Sequence, residues 1–289
     1  MIHLVKRNQI NEEKYNTCIS KSLQSRIYAY SWYLDVVASN WNVLVLNDYE
    51  AVMPLPFQKK FLISYITQPF FTQQLGVFSK QEISEKTIQF FLKNIPREFL
   101  KIALQFNSEN NFSNEYTITK NNYILSLDKE YEILYKGFSK GRKRAIQQSL
   151  KNQFDIEEIS FSELLMLSKK HYSFKEIEEN EYKKLIKLVE VLKSKKKVKI
   201  IGVKINNELI GGAAFMLDSQ RIIYLFSAVS KIGKEKQVAS LLLNDVIKEY
   251  SNTKRILDFE GSQLSGIASF FKSFGAKPET YFLLKKWLL

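Results

Sequence analysis

The chain has 289 residues, 45% of them hydrophobic, and a formal net charge of +13. That length suits one large domain or two of ordinary size, and the apolar fraction supports packed cores and excludes wholesale disorder. The longest apolar runs, such as 222–226 and 241–243, fall far short of a membrane span, and the first sixteen residues hold no signal core, so a soluble, cytoplasmic protein is expected. A single cysteine, Cys18, excludes an internal disulfide and a multi-cysteine zinc site. With only His3 and His171, no metal site is expected. The positive balance suits an anionic partner such as nucleic acid or a nucleotide-bearing substrate.

In chain order, "SWYLDVVAS" (31–39) predicts a helix. "NVLVL", the turn Asn47-Asp48 and "YEAVMPLP" predict two strands, and "FLISYITQPFFTQQLGVF" a long third. Ser79-x-x-Glu82 has the capping-box pattern and predicts a helix over 81–94, with Ile88, Phe91, Leu92 and Ile95 inward and Pro96 as its stop. "FLKIALQF" (99–106) closes this part.

Residues 130–151 predict a helix broken between Gly137 and Gly141. No acid occurs from 133 to 154, while Lys136, Lys140, Arg142, Lys143, Arg144 and Lys151 do. The glycines make "SKGRKR" a loop, either functional or simply solvated; cations at a helix start oppose the macrodipole and need an offsetting interaction. Ser160-x-x-Glu163 and Ser173-x-x-Glu176 cap two further helices, the second carrying Tyr182, Leu185, Ile186, Val189 and Leu192 on one face. Then come "VKIIGVKI", the turn Asn206-Asn207, "ELIGGAAFML", "RIIYLFSAVS", a helix over 234–250 and the strand "RILDFE". A short helix capped by Ser265 follows, with Ile267, Phe270, Phe271 and Phe274 on one buried face and Gly275 past its end. "ETYFLLKKWLL" is the last strand.

The spans 43–106 and 198–260 thus follow one plan: three strands, a helix, a strand. This is a repeat of architecture, not of residues. The boundary falls between 125 and 140, giving units 1–128 and 129–289.

"IASFFKSFGA", with Ala268, Phe270, Phe271, Phe274, Gly275 and Ala276, resembles the late motif of the GNAT acyltransferases. The resemblance implies an α+β fold of mixed sheets in two tandem GNAT-like units. Two such units with the basic stretch "SKGRKRAIQQSLK" at their junction resemble the FemAB/FemX-like group, whose better-known members transfer amino acids from aminoacyl-tRNA to peptidoglycan precursors. GNAT enzymes using acyl-CoA carry Arg/Gln-x-x-Gly-x-Gly/Ala before the central helix, where glycine admits the pyrophosphate. Here that stretch is "KEKQVA": Lys234 and Gln237 depart from it, Ala239 fits, and Gly233 lies just upstream. The first unit has no glycine cradle after Gly76 and is read as degenerate.

The resemblance implies acyl or aminoacyl transfer to an amine such as that of a cell-wall precursor, with acyl-CoA or aminoacyl-tRNA as donor substrate and no resident cofactor. The reacting carbonyl is expected where "YLFSAV" (224–229) and "LDFEGS" (257–262) splay apart. Asp258 and Glu260 share one face of their strand in this reading, and Glu260 accepts the proton of the attacking amine. Tyr224 is the acid, and Ser262 and Ser227 are hydrogen-bond donors. Val229, Gly233, Lys234, Gln237 and Ala239 complete the donor-binding set. Gln68, Phe70, Phe71, Gln73 and Gln74 line a substrate groove, or else form an ordinary strand bend at Pro69. Lys140, Arg142 and Arg144 clamp phosphates of tRNA or a nucleotide-linked acceptor. Two alternatives stand beside this: an acyl-CoA-dependent N-acetyltransferase acting on a small amine or sugar, and a non-enzymatic binder of RNA or another anionic ligand.

Overall fold

The computed structural model describes residues 1–61, 63–171, 179–261 and 263–287. The chain forms two compact units: residues 1–121 with the chain from Thr280 on, and Asn122–Glu279. Among the described residues no helix is long and apolar enough to cross a membrane.

The first unit opens with β1 (Ile2–Lys6), α1 (Glu12–Lys21) and α2 (Ser31–Val37), followed by β2 (Asn40–Leu46), β3 (Ala51–Lys60) and β4 (Ile63–Thr67). After β5 (Phe78–Ser79) come α3 (Glu85–Lys93) and β6 (Phe99–Phe106). β1 to β4 are antiparallel neighbours, β4 runs parallel to β6, and β5 adds to β3. β13 (Lys277–Trp287) starts in the second unit, and its residues from Phe282 on pair antiparallel with β6. Alternation sets the buried face: in β6, Ile102, Leu104 and Phe106 point inward.

Two expectations are corrected here. Ser79 does not open α3, because it belongs to β5 and is held opposite Ala51. Ser84 caps α3 instead, its hydroxyl accepting the Thr87 N–H at 3.2 Å. The long third strand is also absent. Regular pairing of β4 ends at Thr67, since Pro69 has no N–H to give a ladder and Phe71 takes a φ of +58°.

The second unit begins within β7 (Thr117–Ser126) and continues through α4 (Tyr131–Lys136), α5 (Lys140–Leu150), β8 (Ile156–Glu158), α6 (Phe161–His171) and α7 (Glu179–Ser194). Then come β9 (Val198–Ile205), β10 (Glu208–Leu217), β11 (Arg221–Val229), α8 (Lys231–Glu235), α9 (Val238–Glu249), β12 (Ile256–Asp258) and α10 (Ser265–Lys272). Its sheet runs β7-β12-β11-β10-β9-β8, with β11 and β12 parallel. The plan β9-β10-β11-helix-β12 matches β2-β3-β4-helix-β6 in pairing sense as well as order. The core gathers Phe215, Ile222, Leu241, Val246, Leu257, Phe259, Phe271 and Phe274. Each such side chain contributes on the order of 1.5–3 kcal/mol of burial.

Further corrections follow in this unit. "SKGRKR" is not a loop: Ser139 caps α5, accepting the Arg142 N–H at 3.1 Å, and Gly141 lies in the first turn. The expected helix 234–250 is two helices, because Gln237 sits in the left-handed region at φ +59°. α10 starts at Ser265 itself, preceded by Leu264, and Ile267 is 43% exposed instead of joining the phenylalanine face. Gly275 does terminate the helix at φ +79°. The expected cap Ser173-x-x-Glu176 lies outside the described residues.

Candidate functional site

β11 and β12 share only three pairs: Arg221 with Ile256, Ile222 with Leu257 and Ile223 with Asp258. β11 runs on to Val229, but β12 stops, and Phe259 donates its N–H to Tyr123 O of β7 instead. The β11–β12 ladder therefore ends one residue before Tyr224. The opposite side of β11 is irregular at the same place. Phe215 pairs with Tyr224 and Ala214 with Phe226, so Leu225 is an extra residue that bends the strand.

Tyr224 is half-buried where the strands part, between the rings of Phe215 (5.3 Å) and Phe271 (6.3 Å, edge-on). Ser227 is half-buried and faces Ala213, whereas Val229 is buried opposite Gly211. Glu260 lies two residues past the end of β12. The expectation that it shares a strand face with Asp258 is corrected: φ at Glu260 is +53° and at Gly261 +49°, a left-handed turn that re-aims its side chain. A non-glycine residue in that region is held at a cost, and such strain clusters at functional positions. The Glu260 N–H donates to Asp258 Oδ1 at 2.9 Å, which fixes the turn. Ser262 lies outside the described residues.

Asp258 is buried and bound on several sides. Its Oδ2 takes Arg221 Nη1 at 2.8 Å and its Oδ1 takes Asn122 Nδ2 at 2.9 Å. Arg221 Nη2 reaches Glu279 Oε1 at 2.6 Å. Burial pulls the Arg221 pKa down, but Asp258 and Glu279 outweigh it and hold the guanidinium protonated well above the usual arginine range. This cluster clamps β7, β11, β12 and the start of β13 beside the divergence. From sequence only Asp258 was named, as a face-mate of Glu260 and not as an ion-pair partner, although an arginine opening an apolar strand and an aspartate ending another are a visible signal for a buried pair.

Beyond β11, Ser230 caps α8 by accepting the Gly233 N–H at 3.0 Å. A Cβ on Gly233 would lie 2.1 Å from Ile210 O, so this glycine serves close packing, not ligand approach. Lys234 is exposed and Ala239 half-buried. The Gln237 side chain folds back to Lys234 O at 3.3 Å. The N–H groups of Val238 and Ala239, the first two residues of α9, have no intrahelical acceptor. A Cβ on Gly211 would come within 2.6 Å of Val238 Cγ1; its absence lets α9 seat on β10.

The basic residues of α5 separate by exposure. Lys140 and Arg144 face solvent, but Arg142 is only 9% exposed. Its guanidinium lies 4.2 Å from the Phe270 ring centroid and 4.6 Å from that of Phe274. It donates to Ser273 Oγ at 2.9 Å and to Ser240 Oγ in the first turn of α9. Desolvation lowers its pKa to about 10, and no carboxylate pairs with it among the described residues. Two aromatic faces and two hydroxyls therefore supply the offset that a cation near helix starts requires.

The first unit treats the equivalent place differently. Past Thr67, Gln68 donates its N–H to Ala103 O at 3.0 Å and its Oε1 accepts the Gln105 N–H at 3.0 Å. Leu75 then bridges to Phe106, and its N–H donates to Gln105 O at 2.8 Å. Chain and side-chain amides so close the flank of β6. Gln74 is buried, with its Oε1 on the Ser108 N–H at 3.1 Å, and Gln74 Nε2 donates to Gln73 Oε1 at 3.0 Å. Gln68 and Gln74 are thus engaged by backbone, while Phe70 is half-exposed and Phe71 half-buried. No group of three or more His, Cys, Asp or Glu side chains is placed to hold a metal among the described residues.

No protein-family model matches the chain, and no curated protein matches it. Solved structures do. FemX superposes with a TM-score of 0.68 at 12% identity, covering 94% of this chain and 96% of its own. A tandem GNAT protein from the clavulanic acid biosynthesis pathway gives 0.54 at 8% identity, covering 100% and 99%. L-PGS from Bacillus licheniformis gives 0.53 at 14% identity, covering 94% and 90%. The chain has the tandem GNAT-like fold that the FemAB/FemX-like resemblance implied.

Proposed function

We propose that the chain is an N-acyltransferase of the FemAB-like type, whose second unit passes an aminoacyl group from aminoacyl-tRNA to an amine of a cell-wall precursor. The observation that carries this is the β11–β12 ladder, which stops after the Ile223–Asp258 pair while β11 runs on to Val229. An ester carbonyl entering there meets backbone groups of β11 in an extended register. The corresponding flank of the first unit is closed by Gln68 and Leu75, which accords with one working site per chain.

In this reading Glu260 takes one proton from the substrate ammonium. The freed nitrogen attacks the ester carbonyl; the N–C bond forms and the C–O bond to the ribose breaks. The second proton leaves nitrogen as Tyr224 gives its own to the ribose oxygen and is reprotonated. Ser227 hydrogen-bonds the carbonyl oxygen, Val229 and Gly233 support the backbone, and Lys234 and the Ala239 N–H meet donor phosphate. Lys140 and Arg144 engage the RNA backbone, with Arg142 holding α5 in place.

A second reading, transfer from acyl-CoA, draws on the N–H groups that open α9 without an acceptor inside the helix. Against it stands Gln237, which occupies the position a pyrophosphate cradle leaves to glycine. The deciding experiment offers the pure chain labelled aminoacyl-tRNA or acetyl-CoA with an amine-bearing muropeptide precursor and reads the product by mass. Aminoacylated precursor is expected from the tRNA arm alone. Product from acetyl-CoA alone, or from neither donor, overturns the proposal.

A further inference from the structure

The hairpin joining β3 to β4 turns in two residues, since Lys60 pairs with Ile63. A turn of this length favours Asn, Asp or Gly in the left-handed region. The chain follows that rule elsewhere: Asn206 and Asn207, at φ +50° and +64°, join β9 to β10. At this tip the left-handed residue is Phe61, at φ +55° and 91% exposed. A bulky side chain in that region is disfavoured, and a fully exposed phenylalanine gains nothing from burial. At 91% exposure Phe61 recovers neither cost by packing against the described residues. Beside it Ile63 is 47% exposed, and Lys59 and Lys60 are exposed with no acidic partner among the described residues.

We infer that this hairpin tip docks the protein on an anionic lipid surface, with Phe61 entering between headgroups and Lys59 and Lys60 meeting lipid phosphates. An aromatic apex with lysines at its base suits the polar–apolar boundary of a bilayer. A protein partner fits less well, because a specific interface takes roughly 800 Å² from each side and the apex offers two described apolar side chains. The inference is independent of acyl transfer and concerns where the protein works.

The test is flotation of the full-length chain with phosphatidylcholine vesicles, with and without phosphatidylglycerol. Binding is expected only to the anionic vesicles, weakening as salt rises. Phe61→Asn restores favoured turn chemistry, so it melts no lower than wild type yet loses about ten-fold or more of the vesicle binding. Lys59→Gln and Lys60→Gln each lower it roughly five-fold. The inference fails if wild type ignores anionic vesicles, or if folded Phe61→Asn binds them undiminished. It also fails if light scattering shows a dimer that Phe61→Asn dissociates while vesicles stay bare.

Discussion

Ile223 of β11 faces Asp258 of β12 in the last pair of their parallel ladder, and beyond that pair the two strands part. Tyr224 and Glu260 stand at the divergence, one residue and two residues past the pair. Both are assigned to proton transfer, so their conservative variants separate chemistry from folding. Glu260→Gln is expected to lower the transfer rate about 10²–10⁴-fold and Tyr224→Phe by less. Thermal melting of both variants should match wild type. Full activity in Glu260→Gln removes it as the base.

Arg142 differs from its neighbours in one basic stretch. Burial lowers its pKa to about 10, and two ring faces and two hydroxyl bonds offset the cost of that desolvation. Arg142→Ala should therefore destabilise by about 2 kcal/mol in urea unfolding. Lys140→Ala and Arg144→Ala, both exposed, should stay within about 0.5 kcal/mol. Each of these two should instead weaken RNA binding and reduce its log–log salt slope by about one. A stable Arg142→Ala beside unaffected RNA binding in the other two would reverse the assignment.

The buried pair of Arg221 and Asp258 gives a stability prediction. Asp258→Ala removes one of the two carboxylates that hold the buried Arg221 guanidinium, Glu279 remaining, and should cost about 1.5–3 kcal/mol. Because the folded-state pKa of Arg221 is raised, its contribution is complete below the unfolded arginine value and is lost only at more alkaline pH. Calorimetry should find no decline attributable to Arg221 anywhere in the neutral range.

Glu163 predicts an acid limb. Hydrogen bonds from the Ser160 hydroxyl, then from Lys204 and the Ser160 N–H, hold its pKa down to about 2. A lowered folded-state pKa stabilises above the ordinary glutamate value of 4.5, and that stability is lost as pH falls toward 2. Glu163→Gln should lower the melting temperature at neutral pH and flatten the stability slope between these values. An unchanged slope would show that the capping bonds carry no net stability.

The duplicated plan was legible because each unit repeats period-two strands and one amphipathic helix in order, and pairing follows that order. The reciprocal cap of Ser160 and Glu163 was legible because both partners lie within one turn: Ser160 N–H donates to Glu163 Oε2 at 2.8 Å and Glu163 N–H to Ser160 Oγ at 3.2 Å. Ser79-x-x-Glu82 has the same spacing but failed, since pairing with β3 claims Ser79 before any helix can. Local spacing carries no record of that competition.

The left-handed turns at Gln237 and Glu260 were invisible because neither residue type announces positive φ. They split one expected helix and turned Glu260 off its strand face. The clamp of Arg221, Asp258, Glu279 and Asn122 joins residues up to 157 positions apart, a separation at which no periodicity speaks. Arg142 read as one of three phosphate-clamping cations with Lys140 and Arg144, because burial by Phe270 and Phe274 is a tertiary fact.

The most direct measurement is a crystal structure of the chain with a non-hydrolysable aminoacyl-adenosine analogue. Its carbonyl should lie against β11 between Tyr224 and Val229, within hydrogen-bonding reach of that strand, with Glu260 facing the amine side. An analogue bound in the first unit, or a second unit in which Tyr224–Val229 admits no ligand, would contradict acyl transfer at this place.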